Sequence, residues 1–195
     1  FRILNDPSLL EMFKTYSTSE KKIYIMAHFN HPRELTPEAI EGLNLLMESG
    51  VSLVNQTPMV KGVNDDPEVL AELFSKLSYI GVPPYYVFLC RPTLGNETYS
   101  VPVERGYEIF EKSRTLCSGL AKRARLVMSH ESGKIEVVGM TEDQIFFKFL
   151  RAADKINDAR FMAFFRNPEA CWFDDYQEAS DEFSLFSQTV RAGCS

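Results

Sequence analysis

Two polar runs hold the residues best suited to chemistry: His28-Phe29-Asn30-His31-Pro32-Arg33-Glu34-Leu35-Thr36 and Asn55-Gln56-Thr57-Pro58. Each follows an apolar stretch, Ile23–Ala27 or Val51–Val54, that reads as a short strand ending there. A third apolar stretch, Tyr85–Leu89, runs into Cys90-Arg91. Side chains at the carboxyl ends of parallel strands form the active sites of α/β enzymes, so the pattern points to an enzyme barrel. The Gln56 amide offers a polar ligand both a donor and an acceptor. The Arg91 guanidinium matches a carboxylate or phosphate bidentately.

The segments between these strands read as helices. Thr36-Pro37 and Asp66-Pro67 each pair an N-cap with a proline at the first helical position, where no N–H is needed. Gly50 and Gly81 follow the last apolar positions as left-handed C-caps. An earlier helix runs from Asp6-Pro7-Ser8 to about Tyr16, and a later one from about Val103 to Leu116. His28, Gln56 and Arg91 are spaced by roughly one βα unit of 30 residues, which sends all three to the same end of the sheet. Periodicity and capping thus predict half of a barrel.

The 195 residues carry a formal charge of −6 with no basic run, which argues against nucleic acid or an anionic membrane as partner. No apolar stretch approaches the roughly 20 residues that span a bilayer. Cys90, Cys117, Cys171 and Cys194 are scattered, and with no signal peptide they read as reduced thiols of a cytoplasmic protein.

Several motifs in fixed order resemble one family. His28-Phe29-Asn30-His31-Pro32, Asn55-Gln56-Thr57-Pro58, Gly62-Val63-Asn64-Asp65, Pro84-Tyr85-Tyr86, Gly106-Tyr107-Glu108-Ile109-Phe110-Glu111, Arg114 and Ser118-Gly119 look like the C-terminal half of lysine 2,3-aminomutase and its relatives. These are radical S-adenosylmethionine enzymes. The resemblance covers most of residues 1 to 120, after which Gly133-Lys134 is similar to the end of the family's glycine-rich stretch and its pyridoxal phosphate lysine. It implies the C-terminal half of a partial (β/α)6 TIM-like barrel over residues 1–118, with a β-rich extension over 119–195. It also implies a [4Fe-4S] cluster on three cysteines upstream of Phe1, a reductant protein for that cluster, and a small amino-acid substrate.

The resemblance assigns His28 and Gln56 to S-adenosylmethionine, Arg91 to substrate and Lys134 to pyridoxal phosphate. Each has a plainer alternative. His28 would cap the loop before the Thr36 helix, and Gln56 would satisfy loop backbone. His31 beside Pro32 suits a fixed turn, Asn64 and Asp65 suit turn chemistry, and Asp66 is a helix cap. At the Arg91 position family members acting on lysine carry an aspartate for the distal ammonium, so the reversed sign implies an acidic substrate; the alternative is an Arg91–Glu97 pair. A second family aspartate is replaced near Val127 or Met128. Lys134 equally suits a hairpin with Gly133 in the turn and an exposed lysine, between strands Ala124–Ser129 and Ile135–Gly139. His130 and Glu131 are lesser pocket candidates.

Gln144–Phe149 reads as a strand pairing with that of Ile135, and residues 163–174 as an aromatic closure. Residues 175–190 read as an amphipathic helix presenting Phe183, Phe186 and Val190 to the barrel or to a second subunit. The leading functional expectation is an aminomutase moving an amino group from carbon 2 to carbon 3, with this chain alone inactive. A radical S-adenosylmethionine enzyme without pyridoxal phosphate is the second, and a non-catalytic binding remnant the third.

Overall fold

The computed structural model describes residues 2–179, which fall into two compact units. Among the described residues the first comprises 2–88 and 109–125, the second 89–108 and 126–179.

In the first unit α1 (Arg2–Asn5) and α2 (Pro7–Tyr16) precede β1 (Tyr24–Ala27), α3 (Pro37–Glu48), β2 (Ser52–Met59), α4 (Pro67–Tyr79) and β3 (Pro84–Leu89). The expected caps form. Thr36 accepts the Ala39 N–H, Asp66 accepts those of Glu68 and Val69, and each following proline opens its helix. Gly50 and Gly81 take φ of 85° and 84°, the left-handed turn each helix end needs. Strands are ordered β1-β2-β3, with β1 and β2 parallel and Met26 opposite Val54. Helices α3 and α4 contribute Leu43, Leu46, Leu73 and Leu77 to a core that also buries Val51, Leu53 and Val82.

One expectation about this unit is corrected. β2 does not stop at Val54 but continues through Asn55-Gln56-Thr57-Pro58 to Met59, so Gln56 lies within the strand. The polar side chains do not end the strand because the inward ones find partners. Asn55 is 1% exposed, yet its amide accepts the Phe29 N–H at 2.8 Å and donates to the Phe29 carbonyl at 3.1 Å. Thr57, also buried, donates to the Asn30 side chain at 3.0 Å. A buried polar group with its hydrogen bonds made is tolerated where an unpaired one is not.

The second unit contains the start of α5 (Val103–Thr115) and a meander of β4 (Arg125–His130), β5 (Gly133–Met140), β6 (Gln144–Ala152) and β7 (Phe161–Phe165) in that order. Neighbours are antiparallel, and β6 pairs with the Ile135 strand as expected, with Ile135 opposite Phe149. The aromatic closure forms: Phe147 meets Phe164, Phe173 and Tyr176 edge to face at 5.3–5.5 Å, the favoured ring geometry. The buried Glu104 carboxylate anchors α5 by accepting from Arg166 at 2.9 Å and from the Asn167 N–H at 2.7 Å. Phe173–Asp175 is a single 3-10 turn, and the backbone of Gln177 and Ala179 then pairs with β7, so the expected helix does not begin at Asp175. Its remainder, with Phe183, Phe186 and Val190, lies outside the described residues.

Candidate functional site

In the first unit the structure separates polar residues committed to the fold from those left available. Within the run after β1, the Glu34 carboxylate accepts the Asn30 and His31 N–H groups at 2.8 Å each, and the His31 Nδ1 accepts from Arg33. His31 is therefore a turn residue. Asn64, fully buried, accepts the Val60 N–H at 2.7 Å and donates to the Asn30 and Pro58 carbonyls at 2.9 Å each, stitching the loop after β2 to the one after β1. Asp65 closes its own turn by accepting the Gly62 N–H. The side chains of His28, exposed one residue beyond β1, and Gln56, half-buried in β2, make no hydrogen bond among the described residues.

Alternation explains why Gln56 is free. Leu53, Asn55, Thr57 and Met59 point to the buried side, whereas Ser52, Val54, Gln56 and Pro58 point to the other. The plainer alternative for Gln56, satisfying loop backbone, is fulfilled instead by Asn55. The opposite face carries Tyr24 and Met26 of β1, which are 70% and 42% exposed. Likewise the cap of α3 is Thr36 rather than His28.

In the second unit Arg91 is exposed and lines a cavity of about 480 Å³ together with His130, Glu131, Trp172, Asp174 and Asp175. The expected alternative partner, Glu97, instead accepts the Gly95 N–H. The His130 ring lies between hydrogen-bonding neighbours: Nδ1 accepts the Ser132 N–H at 3.1 Å, and Nε2 donates to the Asp174 carboxylate at 3.0 Å. The N–H contact fixes the tautomer, because an acceptor Nδ1 leaves the proton of a neutral ring on Nε2. Asp174, Asp175 and Trp172 come some 80 residues after Arg91, so no local spacing foretold them.

Lys134 is half-buried rather than exposed, and lies in β5 opposite Ser129 of β4 and Arg151 of β6. Because Met128 pairs with Ile135 and His130 with Gly133, strand alternation sends Lys134 to the sheet face opposite His130. It is not among the residues lining the Arg91 cavity. Gly133 has φ of 141°, and a Cβ there would sit 2.2 Å from the Arg151 carbonyl oxygen and 2.8 Å from the Ala152 Cα. The glycine is required by the close approach of β6. Among the described residues there is no group of three or more His, Cys, Asp or Glu that could hold a metal.

No family profile matches the chain. A protein of Aquifex aeolicus named "Putative L-lysine 2,3-aminomutase" is 56% identical over 184 residues, 94% of this chain and 49% of that protein. The L-lysine 2,3-aminomutase of Clostridium subterminale is 42% identical over 113 residues, 58% of this chain and 26% of its own length. This chain is a homologue of the lysine 2,3-aminomutases. It matches the C-terminal half of these family members and spans about half the length of the Aquifex relative. The family includes the glutamate 2,3-aminomutase of Clostridioides difficile, 37% identical over 57% of this chain and 26% of that protein. A solved radical SAM methyltransferase from Sphaerobacter thermophilus superposes on 62% of the chain and 38% of its own, with a TM-score of 0.44 and 17% identity.

Proposed function

We propose that the whole protein is a radical S-adenosylmethionine enzyme of the 2,3-aminomutase type acting on an acidic amino acid, with this chain as the C-terminal half of its partial (β/α)6 barrel. The observation that carries this reading is the 56% identity to the Aquifex relative over 94% of the chain, which spans both units. S-adenosylmethionine on a reduced [4Fe-4S] cluster, fed by a reductant protein, supplies homolytic removal of hydrogen from carbon 3. The cluster ligands belong to sequence beyond these residues.

Within that chemistry the chain's own residues bind and orient. Gln56 has an amide free to donate and accept toward S-adenosylmethionine, and His28 adds an unpartnered ring at the end of the adjacent strand. Arg91 has a guanidinium free to take a substrate carboxylate, worth about 1.5–3 kcal/mol in charge-assisted hydrogen bonds, and it disfavours a buried ammonium beside it. Positioning radical source and substrate in a water-poor site is the protein's contribution to rate.

The geometry around Gly133 and Lys134 favours a second reading, in which the same radical machinery works without pyridoxal phosphate. One experiment addresses both. Full-length protein with reconstituted cluster is incubated anaerobically with reductant, S-adenosylmethionine and either glutamate or lysine, and products are followed by NMR. Appearance of the β-amino isomer of glutamate, faster than that of lysine, is the expected result. Cleavage of S-adenosylmethionine with no β-amino acid from either would replace the aminomutase reading with the second one.

A further inference from the structure

In the first unit a 3-10 turn, Gly119–Arg123, passes into β4 through Ala124, and the backbone there sends two positive charges the same way. Ala124 is extended, with φ of −57° and ψ of 153°, and its side chain is buried, so those of Arg123 and Arg125 project to the other side. Both arginines are exposed, and both line a cavity of about 290 Å³ formed wholly within this unit. Tyr85 and Tyr86, at the amino end of β3, line it too, with ring centroids 4.1 Å apart. The Tyr86 hydroxyl donates to that of Tyr85 at 3.3 Å, which leaves the Tyr85 proton for another acceptor. The Arg123 guanidinium makes no hydrogen bond or ion pair among the described residues. Val54, Pro83 and Pro84 complete the lining, so no carboxylate faces the cavity although the chain carries a formal charge of −6.

We propose that this cavity is an anion site for a phosphate group, free or carried on a small molecule, with Arg123 and Arg125 as its charged ligands and the Tyr85 hydroxyl as a neutral donor. Two guanidinium forks and a phenol match a group with several acceptor oxygens and up to two charges, whereas one fork already satisfies a carboxylate. An anion held between two like charges also offsets their mutual repulsion. Small-molecule sites run upward from roughly 300 Å³, so a cavity of about 290 Å³ suits phosphate or a short phosphate ester. Tyr85 lies at the amino end of β3 and Arg91 follows its carboxyl end, so the inference does not depend on the substrate reading of Arg91.

The test is calorimetric titration of the full-length protein, without S-adenosylmethionine and at constant ionic strength, with inorganic phosphate, glycerol 3-phosphate and succinate. Saturable binding of phosphate or its ester, at least about tenfold tighter than that of succinate, is the expected result. A preference for the ester identifies an organic ligand, and a preference for phosphate identifies the free ion. Arg123→Gln should weaken the preferred ligand at least about tenfold, and Arg123→Lys, which keeps the charge but not the fork, should recover part of that loss. Arg91→Gln should leave the affinity unchanged. Tyr85→Phe removes one hydroxyl and no charge, and should weaken binding roughly three- to tenfold. Thermal melts of each variant verify the fold, and Tyr85→Phe decides the matter if Arg123→Gln melts early. Absence of saturable phosphate binding, equal affinity for succinate, or unchanged affinity in a folded Arg123→Gln or Tyr85→Phe protein overturns the site. Loss of phosphate binding in Arg91→Gln overturns it as well, by moving the anion to the other cavity. An early-melting Arg123→Gln in a protein whose wild type ignores phosphate gives the arginine a structural partner elsewhere in the full-length chain and also ends the proposal.

Discussion

Arg91 and Asn64 are both polar residues in loops that follow strands, and their surroundings give them opposite roles. Asn64 has no exposed surface and satisfies one N–H and two carbonyls. Asn64→Ala should cost about 2–3 kcal/mol, read from the urea midpoint, because buried backbone groups lose their partners. Arg91→Asp should change stability by less than about 0.5 kcal/mol, as expected of an exposed site, yet, under the proposed acidic substrate, abolish conversion of glutamate by the full-length protein. Unchanged glutamate turnover would remove Arg91 from the substrate site. Tyr176 shows a third situation, a buried hydroxyl with no hydrogen-bond partner. Burial, reinforced by Glu104 and Asp175, pushes its phenol well above the usual 10.0. The neutral form is thus favoured by folding, and its contribution, complete below pH 10, is lost as the unfolded chain ionises at higher pH. Tyr176→Phe should keep or slightly raise stability at pH 7 and flatten the decline above pH 10, measured by denaturation at a series of pH values.

At the level of elements, the β4–β5 hairpin depends on one missing side chain. A Cβ on Gly133 would collide with β6 backbone that belongs to the ladder itself, and the left-handed φ adds strain. Gly133→Ala should therefore cost more than about 2–3 kcal/mol or shift the register of β5. Gly62, whose φ is 76° with nothing within 4 Å, provides the comparison: Gly62→Ala carries only the strain, about 1 kcal/mol. Thermal melts of the two variants separate collision from strain, and equal losses would show that the β6 approach is not what selects glycine. The helices of the first unit were readable in advance because capping is local. Thr36-Pro37 and Asp66-Pro67 specify their helix starts through bonds to residues two or three positions on. The length of β2 was not readable, since what sustains it beyond Val54 is the pairing of Asn55 and Thr57 with residues 26 and 27 positions away.

For the molecule as a whole, the sparse metal-binding chemistry of the described residues gives a direct test. Anaerobic reconstitution of the 195-residue chain with iron and sulfide should yield no stoichiometric cluster absorbance, since such clusters need several positioned thiolates and Cys90, Cys117 and Cys171 form no such group. Among the described residues no helix is long and apolar enough to cross a membrane. Sequence alone determined the kinship with the aminomutases, because ordered motifs such as His28-Phe29-Asn30-His31-Pro32 and Asn55-Gln56-Thr57-Pro58 survive in the linear text, and it determined the helix boundaries, because caps act over a few residues. Only the tertiary structure decided which residues within those motifs are spent on the fold: a side chain is available for chemistry only when no distant backbone group claims it. That criterion leaves His28 and Gln56 available while committing Asn55, Thr57 and Asn64 to the fold. It showed what selects the glycine at Gly133, because the atoms that exclude its Cβ belong to a strand 18 residues downstream. It also brought Arg91 and Glu131 to one cavity, since a hairpin and a distant aromatic segment must fold together before the walls around them exist.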